Sequence, residues 1–302
     1  MRFRAPAQED APAVLAVLDA RDRADLGVVD STLEDLLEEW QASEFDLGSN
    51  ALVVEADGGR IVAYASVHSH GSIAIVPPED EGQGIGARML EWVESRERAI
   101  GRDHRQWVAA SNTRGQELLR AAGYLPVRSY SRMVRELDGT EPAETPAGGF
   151  DLRALDVDRD AVALHALDAA AFASAPDYRE ESLTAFTEEH LHGESVDPEL
   201  SLVAHRGEHI AGFLLARRGR DEGMYFVDLL AVHPDHQRRG LGSAILRMAF
   251  ARFAAAGLRE AHLQVASDNP RALSIYERAG MSIRWRFDVY ERPARARPAA
   301  RR

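Results

Sequence analysis

The chain carries one pattern twice, and that repeat limits the fold more than any other feature. Val76-Pro77-Pro78-Glu79-Asp80-Glu81-Gly82-Gln83-Gly84-Ile85-Gly86 parallels Val232-His233-Pro234-Asp235-His236-Gln237-Arg238-Arg239-Gly240-Leu241-Gly242, at an offset of 156 (232 less 76). Asn112-Thr113-Arg114 parallels Asn269-Pro270-Arg271, and Gly123-Tyr124 parallels Gly280-Met281 (280 less 123 is 157). Upstream, Ile61-Val62-Ala63-Tyr64 parallels Ile210-Ala211-Gly212-Phe213 (210 less 61 is 149). Self-similarity at a fixed spacing signals repeated units, and 302 residues suit two domains. The expected limits are residues 1–138 for the first copy, a linker at 139–149, the second copy at 150–292 and a basic tail at 293–302. The linker is rich in Pro and Gly and has no apolar period. The tail is Arg, Ala and Pro, a composition expected to fray.

Both copies give the same element order. A short strand (Phe3-Arg4 or Leu152-Arg153) precedes helix, then a hairpin turns at Asp57-Gly58-Gly59 or Arg206-Gly207-Glu208. In the second copy Tyr225–Val232 forms a strand, followed by the glycine loop and a helix. Leu241, Ile245, Met248 and Ala249 fall on one helical face, as do Ile85, Met89, Trp92 and Val93 in the first copy. A strand at 261–266, a helix at 271–279 and a last strand at 283–290 complete the unit. Strand, helix and strand of this length imply a parallel pair with a right-handed crossover. The fold class is therefore α/β, with two tandem domains, each a mixed, mostly antiparallel sheet with a central parallel strand pair flanked by helices.

Gln237-Arg238-Arg239-Gly240-Leu241-Gly242 joins strand to helix. The first turn of a helix offers backbone N–H groups without intrahelical partners and the positive end of the dipole. Glycines let that backbone approach a phosphate, and the two arginines and glutamine add donors. No Gly-Lys-Ser/Thr follows, so a nucleotide P-loop is excluded. The dinucleotide fingerprint requires three glycines, and two occur here. A tight turn needing glycine only for packing is the alternative.

Val232-x-Pro234-x-x-Gln237-x-x-Gly240-x-Gly242, followed by Asn269, Tyr276 and Gly280, resembles the GNAT superfamily of N-acetyltransferases across most of the second copy. The two-copy arrangement resembles that of the mycothiol synthases, which are active in the second copy. The resemblance implies acetyl-CoA as co-substrate and no metal. It implies that Gln237, Arg238, Arg239, Gly240, Leu241, Gly242 and Ser243 hold the pyrophosphate. Leu230, Ala231 and Val232 would pair with the pantetheine arm between splayed strands, and Asn269 with its neighbour Arg271 would line the thioester end of the cofactor. A backbone N–H near Leu230 or Ala231 would meet the oxyanion.

Aminolysis of a thioester needs a neutral amine, a stabilised oxyanion and a proton for the leaving thiolate. The resemblance makes Tyr276 the proton donor; a core aromatic beside Leu273 and Ala279 is the alternative reading. Alternation puts 226, 228, 230 and 232 on one side of their strand, so Asp228 is a lone acid among apolar residues. It is a candidate general base, or else the partner of a nearby arginine. Asp177, after Ala170-Ala171-Phe172-Ala173-Ser174-Ala175-Pro176, is a candidate substrate-binding acid for the amine, or a helix cap. His68-x-His70 places two imidazoles on one strand face without an evident third ligand, so metal binding is not expected.

The first copy has Glu81, Ser72 and Leu119 where the second has Gln237, Asp228 and Tyr276. A carboxylate repels pyrophosphate and leucine donates no proton, so the first copy is expected to be catalytically dead. Composition narrows the class further. A net charge of −13 argues against nucleic acid and permits a cationic acceptor. No run of 18 apolar residues suggests a membrane span. The absence of cysteine and the lack of an apolar core after Met1-Arg2-Phe3 favour the cytoplasm. The expected function is transfer of an acetyl group to a small-molecule amine in the C-terminal domain. The alternatives are a non-catalytic acyl-CoA sensor or scaffold, or a protein N-acetyltransferase.

Overall fold

The computed structural model describes residues 1–43, 45–68, 71–143, 146, 148–175, 178–219 and 223–292. In the first copy β1 (Arg2–Arg4) leads to α1 (Ala11–Leu26), α2 (Leu33–Gln41) and α3 (Leu47–Asn50). The strands β2 (Ala51–Glu55), β3 (Ile61–Val67) and β4 (Ser72–Ile75) follow, then α4 (Ile85–Ala99), β5 (His104–Ala109), α5 (Thr113–Ala121) and β6 (Leu125–Glu136). The second copy repeats this as β7 (Asp151–Ala154), α6 (Val157–Phe172), α7 (Leu183–His190), β8 (Leu202–Arg206), β9 (His209–Arg218) and β10 (Met224–Val232). It ends with α8 (Leu241–Ala255), β11 (Glu260–Ala266), α9 (Pro270–Arg278) and β12 (Ser282–Arg292). The mixed α/β architecture expected of each copy is present.

The compact units do not end where the repeats end. One contains Met1–Gln41, Phe45–Tyr130 and the described chain from Trp285 onward; the other contains Ser131–Arg284. Each repeat's last strand therefore crosses a unit boundary, β6 after Tyr130 and β12 after Arg284. Strand order is β1-β2-β3-β4-β5-β12 in the first unit and β6-β11-β10-β9-β8-β7 in the second. In the first unit β12 pairs antiparallel with β5 from Phe287↔Ala109 to Arg292↔His104. Limits at 138 and 150 follow the repeat in the sequence; limits near 130 and 284 follow the packing.

The apolar spacing read from sequence builds each core. In the second unit Leu241, Ile245 and Ala249 of α8 are buried with Phe250 and Phe253 against Tyr225 and Val227 of β10 and Leu263 of β11. On the opposite face, Leu164 and Leu167 of α6 and Phe186 of α7 pack on Phe213, Leu215 and Ala231. Close approach of α8 to the sheet requires glycine at 212. A Cβ there would stand 2.9 Å from the Ala231 carbonyl and 3.0 Å from Ile245 Cδ1. In the first unit Ile85, Met89 and Val93 of α4 bury against β2 and β3, and Trp40 donates to the Tyr64 hydroxyl in the core at 2.9 Å.

Candidate active site

The second unit contains a fork. β10 pairs in parallel with β11 over four positions, from Met224↔Glu260 to Val227↔Leu263. Beyond them β10 runs on to Val232 and β11 to Ala266 without further pairing to each other among the described residues, although β10 keeps β9 beside it to Val232↔Gly212. The backbone from Asp228 to Val232 thus turns one hydrogen-bonding edge toward the gap, available to a linear amide-bearing ligand.

A β-bulge between Val227 and Leu229 lies at the throat of this fork. It overturns the expected alternation. Tyr225, Val227, Leu230 and Val232 belong to the α8 side, whereas Leu229 and Ala231 belong to the α6 and α7 side. The extra residue shifts the phase, and the Asp228 carboxylate faces α7 rather than sharing a face with Leu230.

The glycine loop follows directly. Pro234–His236 form a single 3-10 turn, and Gln237 Nε2 donates to the Val232 carbonyl at 3.0 Å. In this structure Gln237 therefore braces the loop instead of extending a donor from it. Gly240 is the N-cap of α8 with φ of 82°, and a Cβ there would touch nothing within 4 Å. Glycine is required by backbone conformation and leaves open space above the helix start. Arg238 also adopts positive φ, 60°, where its counterpart Gly82 has φ of 77°. Left-handed backbone costs a side-chain-bearing residue about 1–2 kcal/mol. Arg238 and Arg239 are exposed and, among the described residues, pair with no carboxylate. The first-turn N–H groups of Leu241, Gly242 and Ser243 have no intrahelical acceptor, so this corner is cationic and rich in donors.

Asn269 caps α9, its Oδ1 accepting from Ala272 N at 3.1 Å; its position is that of an N-cap residue rather than a free polar arm. Arg271 is exposed on the first turn of that helix. Tyr276 lies one turn and a half further, half-buried against the α8 core cluster. Its hydroxyl makes no hydrogen bond to a described residue, and burial pushes its pKa up to about 12. Against a thiolate of ordinary basicity that makes proton donation uphill by about 5 kcal/mol. Burial raises a departing thiolate's basicity in the same direction.

Asp228 is not isolated. His190 Nδ1–H donates to its Oδ2 at 2.8 Å, and Arg217 Nε stands 3.2 Å from the same oxygen. Although burial opposes ionisation, the Arg217 cation and the His190 hydrogen bond outweigh it and hold the carboxyl near 2. A carboxylate so stabilised is a poor proton acceptor. Around it lie Asp168 of α6, whose carboxyl burial pushes up, and Tyr178, pushed to about 12 mainly by burial and then by Asp168. His165 Nε2–H donates to the Glu181 carbonyl at 2.9 Å. Sequence reasoning missed this cluster, because nothing in the spacing of 165, 168, 178, 190 and 217 joins them before the chain folds. Asp177 and His70 lie outside the described residues. His68 is stacked on Phe45 and stands 2.9 Å from Glu39, a packed side chain.

The first unit has a counterpart. The recorded parallel pairing of β4 with β5 is Ser72↔Gln106. Beside it lies a cavity of about 480 Å³ whose walls include Ile73, Ile75, Leu118 and Leu119. Glu81 takes Arg21 at 2.7 Å and Arg114 at 2.8 Å. Ser72 donates to Glu97 at 2.6 Å, and Glu97 in turn holds His104 at 2.8 Å in a buried chain.

The chain is similar to known proteins. The acetyltransferase (GNAT) family profile matches residues 163–281. A mycothiol acetyltransferase of Streptomyces avermitilis is 30% identical over 280 residues, covering 90% of this chain and 88% of that protein. One from Streptomyces scabiei is 31% identical over 229 residues, covering 75% and 68%. Among solved structures, a GCN5-related N-acetyltransferase from Sphaerobacter thermophilus superposes with TM-score 0.80 and 27% identity over 97% of this chain and 95% of that one. A tandem GNAT protein from the clavulanic acid biosynthesis pathway has the same fold, with TM-score 0.75 and 15% identity over 99% of both chains. The chain belongs to the GNAT family of acetyltransferases and is a tandem member, an acyltransferase. Among the described residues no helix is long and apolar enough to cross a membrane.

Proposed function

We propose that the second unit transfers an acetyl group from acetyl-CoA to the amine of a small molecule. The observation that carries this reading is the fork between β10 and β11 leading straight into the glycine loop at the start of α8. The pyrophosphate sits on the first-turn amides of Leu241, Gly242 and Ser243, with Arg238 and Arg239 as counter-charges. The pantetheine amides pair along the open edge at Leu230, Ala231 and Val232, which sets the thioester at the throat. A backbone N–H freed there meets the oxyanion. Tyr276, undissociated throughout the neutral range, protonates the departing thiolate. Relatives named for mycothiol support a small-molecule acceptor over a protein. For the first unit, the pairing of Glu81 with both nearby arginines favours a non-catalytic role.

Calorimetric titration of acetyl-CoA into the whole protein and into Gly240→Glu tests the reading. One site in the wild type, lost in the variant, is expected. Because a side chain at 240 also strains the backbone, Arg239→Glu is the companion and should weaken binding by on the order of 10²-fold. No binding to the wild type would end the acetyltransferase assignment.

A further inference from the structure

We infer that His190 is the base that takes the acceptor's ammonium proton, and that Asp228 is its positioning residue. The inference rests on the acetyl-transfer reading above and adds the group that makes the amine nucleophilic. Asp228 is the first β10 residue past the last parallel pair, and the bulge turns its carboxylate toward α7. There it accepts the Nδ1–H of His190 at 2.8 Å. That bond fixes the tautomer, so a neutral ring presents the lone pair of Nε2. Nε2 makes no hydrogen bond to a described residue; Glu181 Oε2 stands 3.8 Å away.

The charged groups facing this ring are carboxylates apart from Arg217 and the neighbouring His165. Asp228 comes from β10, Arg217 from β9, Asp168 and His165 from α6, Glu181 from the segment before α7, and Glu189 from α7 itself. Arg217 is engaged by Asp228 and opposes protonation of His190; the carboxylates outnumber it. An ammonium is therefore drawn to the α6–α7 side of the throat. Asp228 alone cannot deprotonate it, being held near 2. His190, raised above the ordinary imidazole value by the Asp228 hydrogen bond against burial, is matched to the task.

The proton balance is complete. The ammonium N–H passes to His190 Nε2, directly or through one water. The freed lone pair forms the C–N bond at the thioester carbon. Collapse breaks the C–S bond, Tyr276 gives its proton to the thiolate, and the nitrogen's surplus proton restores Tyr276. His190 then releases its proton to solvent, so amide, thiol and one proton leave.

The test is the pH dependence of kcat/KM with acetyl-CoA and glucosamine as probe amine, together with NMR titration of the His190 ring. The wild-type rate should rise with pH along a limb set by His190, above the ordinary imidazole value. Asp228→Asn removes the anion that stabilises imidazolium and should move that limb down by about 1–2 pH units. His190→Gln should abolish the limb and lower kcat by about 10²–10³-fold, with acetyl-CoA affinity unchanged within about twofold. An unmoved limb in His190→Gln that still binds acetyl-CoA overturns the inference, whereas failure of the wild type to bind acetyl-CoA overturns the reading beneath it. If His190→Gln does not fold, or glucosamine is not turned over, the NMR titration of Asp228→Asn decides: a His190 pKa that does not fall rejects the pairing.

Discussion

The two forks keep the same backbone and part in their side chains. Gly84 and Gly240 cap their helices with φ of 76° and 82°, and Asn112 and Asn269 cap the next helices by the same Oδ1 acceptance. Seven residues past those asparagines stand Leu119, buried, and Tyr276, half-buried. At the loop, Glu81 ties down Arg21 and Arg114, whereas Gln237 braces Val232 and, among the described residues, Arg238 and Arg239 pair with no carboxylate. At the throat, Ser72 feeds a buried Glu97–His104 chain, whereas Asp228 feeds His190 and Arg217. Preserving a fold takes glycine conformations, caps and apolar faces. Preserving a reaction takes a few polar atoms, and those are what differ.

The sharpest way to break the comparison is at the proton donor. Tyr276→Phe removes the hydroxyl and keeps the ring in the α8 core. Turnover should fall by about 10²–10³-fold with acetyl-CoA affinity nearly unchanged. Leu119→Tyr in the first unit should leave turnover where it was. Single-turnover thiol release in the two variants measures both. Unchanged turnover in Tyr276→Phe would reduce that ring to packing, making it the equal of Leu119.

Much of this contrast was legible in the sequence. The repeat fixed where the glycine loops and helices fall, because apolar spacing and turn chemistry are local. The substitutions at 81, 119 and 72 could be read because the repeat supplies its own alignment. Three things were not legible. A bulge depends on how β9 and β10 share hydrogen bonds, so the alternation rule grouped Asp228 with Leu230 and Val232, which face the other way. The His190–Asp228–Arg217 cluster joins three elements through contacts that no local spacing encodes. The passage of β6 and β12 across the unit boundaries was hidden likewise, because it depends on packing and not on local spacing.

A smaller effect is expected at Glu81. In Glu81→Gln the loop of the first unit loses the internal anion that occupies Arg21 and Arg114, while Arg21 keeps Asp25 at 2.6 Å. Asp22 and Asp25, both pushed up by burial, still line the cleft. Calorimetry should therefore show a second acetyl-CoA site, weaker than the first by about tenfold or more. Two sites in the wild type would show instead that Glu81 does not close the cleft.

The smallest effect concerns Arg238 and its counterpart Gly82, which share the left-handed conformation. Strain of about 1–2 kcal/mol at Arg238 is tolerated where a glycine is cheaper. Arg238→Gly removes that strain but adds about 0.4–1 kcal/mol of unfolded-chain entropy. The net gain in stability should lie between about 0 and 1.6 kcal/mol, seen as a higher urea midpoint at unchanged slope. The same variant loses a pyrophosphate counter-charge, so acetyl-CoA affinity should fall by about tenfold. Stability gained with affinity lost would mark Arg238 as held in an unfavourable backbone for its charge, the residue at which the second loop departs from the first in order to bind. Gained stability with unchanged affinity would assign the anion site to the helix amides and Arg239 alone.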